Sequence, residues 1–285
     1  MAQQLVSDKV ITLEPSRNLL SFNNFNEINY QIINEPLEIL IAMLKLIIPL
    51  ELIDDGKTNI EIRRNHLNYM IRVNTKREQL VKILLRSFLD AENCCYLEIN
   101  GRIHRKKTYR DILSLEYDPR SFRQPDDSIR EYIIQWFQKN VSRGWNTMLF
   151  FGGECVLLGK ILSGYSALQY FYTDFPSIYD DIQRNYKAPL AELIDYKEWN
   201  ASRQWQVDFS DIRRCCIINT GYQGMGEHLA REICRIAAEE MYIISCNQYS
   251  WSADLTVLNE YYNLQENIEI RTNYSVWIYK LSRRI

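Results

Sequence analysis

The sequence predicts an α/β protein: a doubly wound, mostly parallel sheet over residues 119–285, preceded by a smaller α+β domain over residues 1–118. Three observations carry this. Short apolar strands at Thr147–Phe151, Ala167–Thr173, Cys215–Ile218 and Tyr242–Ser245 alternate with helical stripes. These strands end on Gly152, Asp174, Asn219 and Cys246, the position where open α/β sheets hold their ligands. The chain closes on two alternating segments, Asn267–Thr272 and Ser275–Leu281, which read as an antiparallel edge hairpin.

In the N-terminal domain, Pro36–Ile48 reads as a short buried helix with proline in its first turn. Residues 67–73 alternate, with Leu67, Tyr69, Ile71 and Val73 on one side, as a half-buried strand does. Lys76–Leu89 follows as a helix whose apolar face is Leu80, Val81, Leu84, Leu85 and Phe88. Cys95–Asn100 and Arg102–Tyr109 flank Asn100-Gly101, a strong two-residue hairpin signal. The outer strand bears Arg102, His104, Arg105, Lys106 and Lys107. Such a strand is either a solvated, aggregation-resistant edge or a phosphate-contacting, RNA-binding surface, and both readings stay open.

In the second domain, Asp126, Asp127 and Ser128 can cap a helix over Ile129–Arg143, striped by Ile129, Tyr132, Ile133, Trp136, Phe137 and Val141. A strand into Gly152-Gly153, a helix, and a strand into Asp174 come next. Cys215–Ile218, a helix over Glu227–Glu240 and Tyr242–Ser245 complete the parallel pattern. Ser245-Cys246-Asn247 then leads through a loop into another helix. Cys246 is either a packed strand-end thiol or a nucleophile, depending on its pKa.

Composition narrows the function classes. Of 285 residues, 46% are hydrophobic and 25% charged, which is ordinary for a globular protein. A net charge of -2 gives no global basic footprint, so any RNA contact needs a local patch or a partner. The seven cysteines form no CxxC pair and support neither a zinc site nor a metal–sulfur cluster; a reducing intracellular compartment is the expectation. The longest apolar run, Ile39–Ile48, is interrupted by Lys45 and too short to cross a membrane. The N-terminus carries no signal-peptide pattern.

Ser121-Phe122-Arg123-Gln124-Pro125 resembles the Ser-Phe-x-Gln-Pro motif of the S-adenosylmethionine-dependent RNA (uracil-5-)-methyltransferases. The order downstream is similar too: a strand opening into Phe150-Phe151-Gly152-Gly153, an acid at Asp174, a strand ending at Asn219, and Ile244-Ser245-Cys246-Asn247. The resemblance covers residues 119–285, and the strand–helix–hairpin order over 67–118 looks like that family's RNA-facing region. It implies a class I methyltransferase-like fold in which the thiolate of Cys246 attacks C6 of a flipped-out uridine, so that C5 accepts the methyl group. It would set Gln124, Phe150, Gly152, Asp174 and Asn219 around S-adenosylmethionine, with Asp174 on the ribose.

The sequence departs from that family at three polar stations. Glu154 stands where the second glycine of Gly-x-Gly belongs. Asn219-Thr220-Gly221-Tyr222 replaces Asp-Pro-Pro-Arg, which removes both the acid and the arginine. Arg271–Trp277 lacks the glutamate that serves as base. Without a cationic neighbour the Cys246 thiol should keep an ordinary pKa, near 8.5 as an order-of-magnitude value. The sequence therefore reads first as a non-catalytic RNA-binding or structural subunit of an RNA-processing or ribonucleoprotein assembly, a pseudoenzyme in which cofactor binding is weak or lost. The alternatives are an active RNA 5-methyluridine methyltransferase using Cys246, or an enzyme acting on another small molecule on the same fold. Clusters of exposed aromatics would mark a partner surface.

Overall fold

The computed structural model describes residues 7–17, 19–22, 57–65, 68–90, 94–105, 115–118, 120–203 and 213–284, with single positions between 41 and 52. The chain forms two compact units. The larger holds Met1–Glu14, Arg120–Gln124 and Ile129–Ile285, the smaller Pro15–Pro119 and Pro125–Ser128.

Strand β1 (Ser7–Thr12) belongs to the larger unit. The smaller unit runs β2 (Leu19–Phe22), β3 (Asn59–Asn65), β4 (Asn68–Asn74), helix α1 (Glu78–Asp90), β5 (Cys94–Ile99) and β6 (Arg102–Arg105). Its sheet is ordered β2-β3-β4-β5-β6. Among the described strands of this sheet only β4 and β5 pair in parallel, because α1 carries the chain across between them. Leu80, Leu84 and Phe88 recur at helical spacing on α1 and bury against Ile60, Ile62, Ile71, Val73 and Leu97. The hairpin at Asn100-Gly101 forms as expected, with φ of 50° and 82°, because both central residues of its turn need positive φ. Asn100 also binds Thr75 through both amide atoms, at 2.8 and 2.7 Å. Ile41, Leu44 and Ile48 of the expected Pro36–Ile48 helix are buried in this core; most of that segment lies outside the described residues.

The larger unit continues with α2 (Asp127–Asn140), β7 (Trp145–Gly152), α3 (Cys155–Ile161), β8 (Ser166–Thr173), α4 (Pro176–Asn185), β9 (Leu190–Leu193), β10 (Arg214–Asn219), α5 (Gly226–Ile236), β11 (Glu240–Ser245), α6 (Gln248–Leu258), β12 (Tyr262–Arg271) and β13 (Ser275–Arg283). The eight strands are ordered β1-β12-β13-β11-β10-β7-β8-β9. β7, β8, β9, β10 and β11 are parallel, and β13 joins β11 and β12 antiparallel. This is the α/β, doubly wound architecture the sequence implies. The chain steps outward from β7 to β9, then restarts beside β7 at β10 and steps the other way. Right-handed crossovers in opposite directions put their helices on opposite faces.

Several boundaries differ from the sequence reading. α2 ends at Asn140, where the Asn140 amide donates to the Trp136 carbonyl. α5 ends at Ile236 rather than near Glu240, since Ala237 turns left-handed (φ 56°). The strands β1, β2, β3 and β9 are additional. β1 lies in the stretch expected to belong to the N-terminal domain, yet it pairs parallel with β12 at the sheet edge.

Candidate functional site

The strand order reverses between β7 and β10, and the crevice at that switch point is where such sheets bind ligands. Gly152 and Asn219 end the two strands as register partners. The Gly153 N–H donates to the Asn219 carbonyl at 2.6 Å. A Cβ on Gly152 would lie 2.1 Å from the same oxygen, and φ there is 82°, so only glycine fits.

Glu154 continues this turn with φ 56°, a left-handed conformation that costs a non-glycine residue about 1–2 kcal/mol. Its side chain is buried. Oε1 accepts the Gln124 backbone N–H at 2.8 Å and lies 4.0 Å from Arg130 Nε. Oε2 has no hydrogen-bond partner among the described residues. The glycine turn thus holds a carboxylate of the chain's own, backed by a buried guanidinium.

Cys246 follows β11, the next strand over, and is half-buried. The Gln124 side-chain amide donates to its Sγ at 3.8 Å. Burial pushes the thiol above its ordinary value; the Gln124 bond pulls it down and the Glu154 charge pushes it up further. The thiol is therefore less ionised than the sequence implied. His228 is engaged elsewhere, donating through Nε2 to the Trp199 carbonyl at 2.8 Å.

Asp174 follows β8 directly. The carboxyl is exposed at the strand end, yet desolvation raises it, while its own backbone N–H and the neighbouring Tyr196, which makes no hydrogen bond within normal reach among the described residues, pull it down. Asn219 is almost wholly buried, and neither atom of its amide has a partner among the described residues. Phe150 lies in the core, stacked on Phe171 at 5.2 Å, rather than facing the crevice with its ring. Gln124, Glu154 and Cys246 are thus in contact, Gly152 and Asn219 are in register beside them, and Asp174 sits with Tyr196. Arg130 and Tyr196 escape the sequence reading: a single arginine inside a helix and a tyrosine in an irregular segment carry no motif. Asp254, which follows Cys246 in the family-like order, is given no role by the sequence. Its carboxylate accepts the Met225 and Gly226 N–H groups at 2.8 and 2.9 Å and fixes the loop after β10.

In the smaller unit, Arg102 is exposed and His104 half-buried on β6, the edge strand. Arg105 ends that strand, whereas Lys106 and Lys107 lie outside the described residues. Among the described residues no group of three or more His, Cys, Asp or Glu could hold a metal ion, and no helix is long and apolar enough to cross a membrane.

No family model matches the chain, and no curated protein matches it. Solved structures do. The tRNA (uracil-54, C5)-methyltransferase of Pyrococcus abyssi, in complex with S-adenosyl-L-homocysteine, superposes with a TM-score of 0.69 at 14% identity, over 96% of this chain and 78% of that one. The N-methyltransferase NodS of Bradyrhizobium japonicum WM9 matches 56% of this chain and 88% of its own at 10% identity; its TM-score of 0.42 carries no weight. The first likeness establishes the fold: this chain is built like an S-adenosylmethionine-dependent RNA uracil methyltransferase.

Proposed function

We propose that this chain is a non-catalytic RNA-binding or structural subunit of an RNA-processing or ribonucleoprotein assembly, a degenerate relative in form of the RNA (uracil-5-)-methyltransferases. One observation carries the reading: the buried Glu154 carboxylate in the glycine turn at the switch point. A cofactor bearing its own carboxylate fits poorly there. Two carboxylates would share a desolvated turn in which Glu154 Oε2 already lacks a partner. Burying a second carboxylate beside one that already draws on Arg130 at 4.0 Å costs several kcal/mol in order of magnitude. The raised pKa of Cys246 points the same way, because a mostly protonated thiol is a poor nucleophile. The domain division at residue 118/119, with an N-terminal RNA- or partner-facing part bearing Arg102, His104, Arg105, Lys106 and Lys107, belongs to this proposal.

Calorimetric titration with S-adenosylmethionine tests it. No heat of binding is expected up to millimolar concentrations. Micromolar binding would overturn the reading and favour an active RNA 5-methyluridine methyltransferase. One observation favours that second reading: the Gln124 amide donates to Cys246 Sγ, the contact a thiolate would use. In it, Cys246 would be the nucleophile and Gln124, Gly152, Asp174 and Asn219 would surround the cofactor, with Phe150 offering only its backbone, since its ring lies in the core.

A further inference from the structure

Two aromatic side chains stand in water beside the candidate site. Tyr222, in the loop after β10, is 71% exposed, and Tyr249, in the first turn of α6, is 89% exposed. Their segments leave the carboxyl ends of β10 and β11, which are parallel neighbours. One side chain ties them together: Asn247 donates through Nδ2 to the Tyr222 carbonyl at 3.2 Å and accepts the Tyr249 N–H through Oδ1 at 3.0 Å. Ser250 Oγ adds a second bond to the Tyr222 carbonyl at 3.2 Å. The backbones beneath both rings are therefore fixed while the rings stay free, the state of least ordering cost for a stacking surface.

We propose that Tyr222 and Tyr249 form a stacking platform for unpaired bases of a single-stranded RNA at the Cys246 end of the sheet. This rests on the RNA reading above. The surroundings favour bases over protein side chains. The exposed neighbours are polar, among them Gln223, Gln248 and Ser252. Of the exposed aliphatic residues and phenylalanine, Leu168, Phe175, Leu190 and Leu193 lie on or beside β8 and β9, and Val10, Leu89 and Ile103 on β1, α1 and β6. A protein interface core wants contiguous apolar area, whereas base stacking needs isolated ring faces with room on either side. Stacking is also tolerant of sequence and adds no positive charge, in keeping with a chain of net charge -2.

The test is fluorescence anisotropy of the full chain with an unstructured, fluorescein-labelled RNA of about 12 nucleotides, within the usual site sizes. Tyr222→Ala and Tyr249→Ala are each expected to weaken binding about fivefold or more, and Tyr222→Phe and Tyr249→Phe to bind as the parent does. Tyr249→Leu keeps apolar volume without a ring and should behave as alanine does. An abasic strand of the same length should be bound alike by the parent and by the double alanine variant. Normal RNA binding by the alanine variants, or unequal binding of the abasic strand, would overturn the platform and leave the RNA reading standing. If the parent binds no RNA at about 100 μM, the RNA reading falls and the platform with it.

Discussion

The Glu154 carboxylate takes the backbone N–H of Gln124 at 2.8 Å, and the side-chain amide of the same Gln124 reaches Cys246 Sγ at 3.8 Å. Glutamine 124 thus joins the altered glycine turn to the strand-end thiol. A change at either end is felt at the other, because Glu154 also acts on the thiol through its charge.

Replacing Glu154 by glycine should relieve the left-handed strain at that residue and clear the turn. Glu154→Gly is expected to gain S-adenosylmethionine binding that the parent lacks, read by calorimetry, with Glu154→Gln intermediate. In the glycine background Asp174→Ala should weaken the gained affinity about tenfold, the loss of a charge-assisted hydrogen bond. No gain in Glu154→Gly would remove the carboxylate as the obstacle.

The Cys246 thiol should alkylate slowly at neutral pH, with a reactivity midpoint above that of a free cysteine, followed by mass spectrometry of its peptide. The sign of each neighbour is fixed. Glu154 disfavours the thiolate, so Glu154→Gln should lower the midpoint; Gln124 favours it, so Gln124→Ala should raise it. No denaturation-resistant adduct with 5-fluorouridine RNA is expected, and Cys246→Ala should leave RNA or partner binding intact. An adduct lost in Cys246→Ala would restore the catalytic reading. That trap reports attack on C6 followed by methyl transfer to C5, so it is run with S-adenosylmethionine present and needs no base.

How much of this was legible depended on where the information sits. Strands buried on both sides, such as Met148–Phe151 and Cys215–Ile218, announce themselves as apolar runs, and their order sets the switch point. Edge strands do not: β9 is four residues long, half-exposed and follows Pro189, so it shows no periodicity. β3 does alternate, with Ile60 and Ile62 inward, and so carries a local signal of its own. The site divides the same way. Gly152, Asn219 and Cys246 are marked by their strand ends. The Arg130 approach to Glu154 and the hold of Asp254 on the loop after β10 arise from tertiary packing, which leaves no local pattern.

The two glycines of the turn should differ sharply. Gly152→Ala sets a Cβ against strand backbone at 2.1 Å under positive φ, so a loss of at least about 3 kcal/mol is expected, a fall in Tm of roughly 6–12 °C for a unit of this size. At Gly153 a Cβ meets the Phe122 ring at 2.6 Å, and a side chain can move aside. Gly153→Ala should cost roughly 1–2 kcal/mol. Equal losses in thermal melts would contradict the backbone contact.

Asp254 should matter for stability with an unusual pH sense. Asp254→Ala strands two loop N–H groups and should cost about 2–4 kcal/mol in denaturant melts. Burial raises its carboxyl against the pull of those two N–H groups. The folded state then holds the proton more tightly than the unfolded state, so this group adds stability as pH falls through its folded value toward roughly 3.9. Against Asp254→Asn, the parent should gain Tm between pH 7 and pH 4; a relative loss would show that the hydrogen bonds outweigh burial.

The basic edge strand and the tyrosines should leave different signatures on the same RNA. Arg102 is exposed on β6, in the smaller unit, where a phosphate contact acts through charge alone. Arg102→Ala is expected to weaken RNA binding at low salt and to reduce the slope of log affinity against log salt by about 0.7, the value for one phosphate contact on a single strand. Its effect should fade as salt rises, and the abasic strand should show it equally, since phosphates remain. Tyr222→Ala should do the reverse: the same salt slope as the parent, a loss that persists at high salt, and none on the abasic strand. If Arg102→Ala and His104→Ala both leave affinity and slope unchanged, the charges of β6 serve as a solvated strand edge, and RNA contact has to be sought elsewhere on the chain.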